Sequence, residues 1–113
     1  MLIVDDHGDF RAAARELLEA DGYDVVGEAA DGETAVSEVE RLRPAIVVLD
    51  VQLPDIDGFA VAERLAAGSE PPIVVLISSR DASVYGERLA QASVRGFISK
   101  VRLSGVSLAE IVG

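Results

Sequence analysis

The chain has 113 residues, no cysteine, a formal net charge of −10 and a pI near 4.4. That length suits one domain with its own core, and the missing thiols exclude disulfides and thiolate metal sites. The acidic balance opposes direct contact with nucleic-acid phosphates, and no apolar run nears the roughly 20 residues of a membrane span.

Residues 1–10 carry no basic stretch and meet Asp5 almost at once, unlike a secretion signal. A cytoplasmic single domain over residues 1–113 is therefore expected. Leu2-Ile3-Val4 reads as a first, short strand. Phe10, Ala13, Ala14, Leu17 and Leu18 then recur at the spacing of one helical face. Val25-Val26 marks the second strand, and Ala35, Val39 and Leu42 mark a second helix limited by Pro44. Ala45-Ile46-Val47-Val48-Leu49 is the third strand, followed by the stripe Phe59, Ala62, Leu65 and Ala66, which ends near Gly68. Ile73-Val74-Val75-Leu76-Ile77 is the fourth strand. Residues 81–92 form a poorer helix, because Gly86 inside it costs about 1 kcal/mol relative to alanine. Gly96-Phe97-Ile98 is the weakest strand, and residues 103–112 give a last amphipathic helix.

Short unbroken apolar runs are strands buried on both faces, as in a parallel sheet. Strands alternating with helices imply right-handed crossovers and an α/β, three-layered, doubly wound (βα)5 sheet. The expected strand order is the flavodoxin-like 2-1-3-4-5. In such sheets sites form beyond the carboxyl ends of the strands. Those ends carry Asp5 and Asp6, Asp50, Ser78 and Ser79, and Ser99 and Lys100. In that order three carboxylates, a hydroxyl and an ammonium converge.

Singly, each residue has an ordinary explanation. Asp5-Asp6 opens a helix, Asp50 ends a strand, Lys100 is a surface lysine, and His7 is a loop residue beside the site. Together, each at a strand end, they have a chemical logic. Three close carboxylates repel unless a cation joins them, and a hard divalent ion such as Mg²⁺ suits oxygen ligands. A carboxylate so placed can attack phosphorus and become an acyl phosphate, with lysine and serine contacting the phosphoryl oxygens.

At this point the chain resembles the receiver domains of two-component response regulators over nearly its full length. The resemblance rests on Ile3-Val4-Asp5-Asp6-His7, residues 48–58 (VLDVQLPDIDG), Val75-Leu76-Ile77-Ser78-Ser79 and Gly96-Phe97-Ile98-Ser99-Lys100. The first of these, with residues 26–32, looks most like the subclass joined to a helix-turn-helix output domain. The resemblance implies that Asp50 accepts a phosphoryl group from a sensor histidine kinase or phosphotransfer protein. It implies Mg²⁺ (or Mn²⁺) on Asp5, Asp6, Asp50 and the backbone carbonyl of Gln52. Ser78 would be the switch hydroxyl, Phe97 the aromatic switch ring and Lys100 the phosphoryl contact, with the small Ser79 keeping the cleft open. The side chains of Gln52 and Arg80 would tune the phosphoryl lifetime. The protein would catalyse only its own phosphoryl transfer and dephosphorylation. It would act through the helix four–strand five–helix five surface on an output domain or partner, including a homodimer through that surface or the last helix, with no nucleic acid or membrane contact of its own.

Two departures stand out. Val101 replaces the proline that often follows the lysine, so a cis bond there is not assumed. Phe97 carries no hydroxyl, so its two positions differ by packing alone. Two alternatives remain: a receiver-like interaction module that takes no phosphate, and an aspartate-based phosphatase of the dehalogenase type. The second needs an aspartate where Gln52 stands.

Overall fold

The computed structural model describes all 113 residues. Five strands form one sheet: β1 (Leu2–Val4), β2 (Gly27–Ala29), β3 (Ile46–Asp50), β4 (Ile73–Ser78) and β5 (Gly96–Ser99). All neighbours pair in parallel, in the order β2-β1-β3-β4-β5. The expected order is therefore observed. The helices are α1 (Gly8–Ala20), α2 (Gly32–Leu42), α3 (Gly58–Ala66), α4 (Glu87–Gln91) and α5 (Gly105–Val112).

The strand period of two explains the three layers. Leu2, Val4, Val47, Leu49, Val74 and Leu76 face one way and pack with Ala35 of α2 and Val61, Ala62 and Leu65 of α3. The alternate residues Ile3, Val48, Val75, Ile77 and Ile98 face the other way and meet Ala14 and Leu18 of α1 and Leu108 of α5. Both faces of β1, β3 and β4 are thus covered, which is why these strands are unbroken apolar runs. Each fully buried aliphatic side chain contributes roughly 1.5–3 kcal/mol of transfer free energy.

The helix starts follow local capping rules. Asp31 accepts from Thr34 N at 2.7 Å, Asp57 from Ala60 N at 2.9 Å, and Ser104 and Ser107 cap α5 reciprocally. One cap comes from far along the chain. Asp55, in the loop after β3, accepts from Gly32 N at 2.8 Å and Glu33 N at 2.9 Å. The bond from Gly32, with that from Glu33, holds the Asp55 carboxyl down at about 2. The loop that carries the strand-three end is thereby pinned to α2.

Two elements differ from the sequence expectation. The second strand is Gly27–Ala29, just beyond Val25-Val26. Val25 is buried in the core, but Val26 is 42% exposed, and its N–H donates to Met1 O at 2.9 Å just before the ladder begins. The strand lies at the sheet edge with Glu28 at its centre. That carboxylate is held by Arg11 at 3.1 Å and Arg15 at 3.0 Å, both from α1. The fourth helix does not run through residues 81–92. A 3₁₀ turn (Ala82–Val84), capped by Asp81, gives way to the five-residue α4. The break is Gly86, whose φ of +52° lies where side chains are rarely tolerated.

Candidate functional site

Asp5 directly follows β1, and its N–H donates to Ala29 O at 3.0 Å, extending the ladder into the site. Its side chain is fully buried. Oδ1 accepts from His7 N at 2.8 Å, which folds the chain sharply into α1. Asp6 points to solvent beside it. His7 Nδ1 lies 3.1 Å from Asp5 Oδ1 and 3.0 Å from Asp6 Oδ1. Arg11 of α1 donates to Asp5 O at 2.6 Å and so ties this turn to the Glu28 pair.

Asp50 ends β3 and is only 3% exposed. Oδ1 accepts from Gln52 N at 3.1 Å. Oδ2 lies 3.2 Å from Lys100 Nζ, which is also 2.5 Å from Asp5 Oδ2. Lys100 sits in a 3₁₀ turn after β5 (Lys100–Arg102), and its ammonium lies 4.7 Å from the centre of the Phe10 ring. No peptide bond in the chain is cis, so Lys100–Val101 is trans.

The electrostatics follow from this enclosure. Burial pushes the Asp50 carboxyl above the usual carboxylate range, and the Asp5 charge adds to it; the Gln52 N–H and the Lys100 charge offset only part. For Lys100, burial alone would lower the ammonium. Its bond to Asp5 and the charges of Asp50 and Asp5 outweigh that, so the net shift is upward. One ammonium thus lies between the buried carboxylates of Asp5 and Asp50.

A ligand atom from each of Asp5, Asp6, His7 and Asp50 lies within 4.8 Å of the others. Asp5 Oδ2 is buried, and its partner is the Lys100 ammonium at 2.5 Å. Three carboxylates drawn this close, with one ammonium between two of them, form the oxygen-rich donor set that a hard divalent ion such as Mg²⁺ or Mn²⁺ fits.

The strand ends bring Asp5, Asp6, Asp50 and Lys100 together as the topology predicts. Gln52, Ser79 and Arg80 are exposed. Ser78 is 1% exposed, and its hydroxyl makes its hydrogen bonds away from Asp50. Its Oγ lies 2.6 Å from Tyr85 Oη and accepts from Arg80 N at 3.0 Å. Phe97 is half-buried and packs against the Tyr85 ring, with centroids 5.9 Å apart. Sequence reasoning missed Tyr85, which lay in an irregular segment with no period to flag it. Phe10 was counted only in the α1 stripe; its position one turn after the acid pair was the signal that it borders the site.

A response regulator receiver domain model matches residues 1–109. The chain belongs to that family. This receiver is 36% identical over 99 residues to the DNA-binding transcriptional activator EvgA of Escherichia coli K12, an alignment covering 88% of this chain and 48% of EvgA. It spans about half the length of the curated relatives it matches. Its fold superposes on the signal receiver domain of the response regulator NarL from Mycobacterium tuberculosis with a TM-score of 0.86 and 30% identity, covering 98% of this chain and 90% of that one. It also superposes on a chain of the CheX-CheY-BeF3-Mg²⁺ complex from Borrelia burgdorferi at a TM-score of 0.82 and 26% identity, covering 98% and 84%. The receiver thus has the two-component signalling fold expected from its sequence, and none of its helices is long and apolar enough to cross a membrane.

Proposed function

We propose that this receiver is a cytoplasmic phosphorelay switch in which Asp50 takes a phosphoryl group from a sensor histidine kinase or phosphotransfer protein. The observation that carries the proposal is Asp50 itself, buried at a strand end between a lysine ammonium and two further carboxylates. A carboxylate oxygen of Asp50 attacks phosphorus; an O–P bond forms, the N–P bond of the phosphohistidine breaks, and its imidazole leaves with the electron pair. Asp5, Asp6, Asp50 and the Gln52 carbonyl would hold Mg²⁺ or Mn²⁺, which neutralises charge on the transferring group when bound. A solved chain of the same fold belongs to a complex with beryllofluoride and Mg²⁺, which supports this assignment.

The phosphorylated state carries about two new negative charges and strong acceptor oxygens. Lys100 turns one of its contacts from Asp50 to a phosphoryl oxygen. Ser78 rotates toward another, and Phe97 follows inward, while Ser79 leaves room for the group. Gln52 and Arg80, exposed at the rim, set how readily water reaches it. The only catalysis is on Asp50 itself, phosphorylation and then hydrolysis. Val84, Val101 and Val106 are 56%, 90% and 69% exposed on the two 3₁₀ turns and α5, apolar side chains open to an output domain, a partner or a second copy.

Metal binding tests the site without any phosphodonor. Counting free Mn²⁺ by its EPR signal, the protein is expected to take up one ion per chain, in competition with Mg²⁺. Asp6→Asn is expected to weaken uptake at least about tenfold, because it removes a charged oxygen ligand from a hard-cation site. Unchanged affinity in Asp6→Asn contradicts the ligand assignment.

A further inference from the structure

The hydroxyl of Ser78 is hydrogen-bonded to Tyr85 rather than to Asp50, and both groups are tightly placed. Ser78 Oγ is buried, 2.6 Å from Tyr85 Oη, and also receives Arg80 N–H at 3.0 Å. The Tyr85 ring lies between two others, with Phe59 at 5.5 Å edge-on and Phe97 at 5.9 Å. The next residue is Gly86, with its φ of +52°, and α4 begins directly after it. Within α4, Arg88 lies 4.4 Å over the Phe59 ring and pairs with Asp57 at 2.9 Å. Tyr85 therefore joins the end of β4 to the start of α4 through one hydrogen bond and one aromatic stack.

We propose that Tyr85 is a latch. Its hydroxyl holds Ser78 Oγ away from Asp50 in the unphosphorylated protein, and breaking that bond is how occupancy of Asp50 is relayed to α4. The proposal rests on Asp50 being the phosphoacceptor. Phe97 on β5 has no hydroxyl, so it cannot make this bond. Tyr85 makes it instead, and its ring fills the space beside Phe97. When Ser78 turns to a phosphoryl oxygen, Tyr85 Oη loses its partner and gains water. The ring is then held by packing alone, and the backbone can pivot at Gly86. Phe97 can move inward only as Tyr85 vacates that space. The latch favours the unphosphorylated arrangement by the net worth of one hydrogen bond, about a 2–10-fold bias in equilibrium.

The test uses beryllofluoride with Mg²⁺ as a phosphoryl mimic and measures its apparent affinity by titration calorimetry. Tyr85→Phe keeps the ring and its packing and removes only the hydroxyl. The variant is expected to bind beryllofluoride about 2–10-fold more tightly than the parent, and the gain is expected to vanish in a Ser78→Ala background. Equal or weaker binding by Tyr85→Phe, or a gain that persists without the Ser78 hydroxyl, overturns the latch and leaves the acceptor assignment standing. A parent that binds no beryllofluoride overturns both.

Discussion

Lys100→Met is expected to destabilise the protein by about 3 kcal/mol at neutral pH, measured by urea unfolding without divalent ions. Methionine replaces the aliphatic stem and keeps its packing, but the charge is lost. Asp5 and Asp50, both buried, then face each other with no cation between them. Removing one partner of a buried pair leaves the full desolvation penalty of the other. The sign of the pH dependence follows. The Asp50 carboxyl is already raised above its unfolded value, so the folded protein binds more protons and gains stability as pH falls through that raised pKa. Loss of Lys100 raises it further, so the deficit is expected to shrink as the pH falls from neutral. Saturating Mg²⁺ is expected to restore part of it, about 2.7 kcal/mol at a hundredfold excess over Kd. A deficit that grows on acidification contradicts this picture of the charges.

Gly58→Ala is expected to cost about 3 kcal/mol or more, for a different reason. Gly58 starts α3 and donates to Val51 O at 2.7 Å. A Cβ at this position would strike the Asp50 carbonyl oxygen and come within 2.8 Å of Val51 Cα. Both obstacles are backbone, and that backbone carries the acceptor residue, so relief moves the site. Gly27 offers the contrast: the nearest atom to a Cβ there is the far end of the Leu42 side chain, at 2.8 Å, which can shift. Urea midpoints compared with the parent decide the matter, and a Gly58→Ala protein within 0.5 kcal/mol of the parent would contradict the close packing described.

These two positions also show what was legible in sequence. Gly58 could be read as a point of tight backbone and Lys100 as a strand-end charge, because the central strands that set the frame are buried on two faces. Such strands announce themselves as unbroken apolar runs, and the alternation of elements then fixes which carboxyl ends converge. The edge strand did not announce itself. Gly27-Glu28-Ala29 is half open to solvent, and its central glutamate is held by arginines from α1, so neighbouring Val25-Val26 gave the stronger signal. The short α4 was foreshadowed by Gly86 but not its division into two pieces, which depends on a backbone angle. Contacts between distant side chains were the least legible. Asp55 caps α2 from 23 residues away. Tyr85 reaches Ser78 across a turn whose shape no period encodes.

The most direct test of the central claim is phosphorylation by acetyl phosphate in the presence of Mg²⁺, read by intact mass. The parent is expected to gain one phosphoryl group, to lose that gain when the metal is chelated, and to show none in Asp50→Asn. That substitution keeps the size of Asp50 and removes only the nucleophilic charge. Asp50→Asn labelled as fully as the parent, or a parent that takes no phosphoryl group, would contradict the account; the second result would leave a protein-interaction module built on the receiver fold.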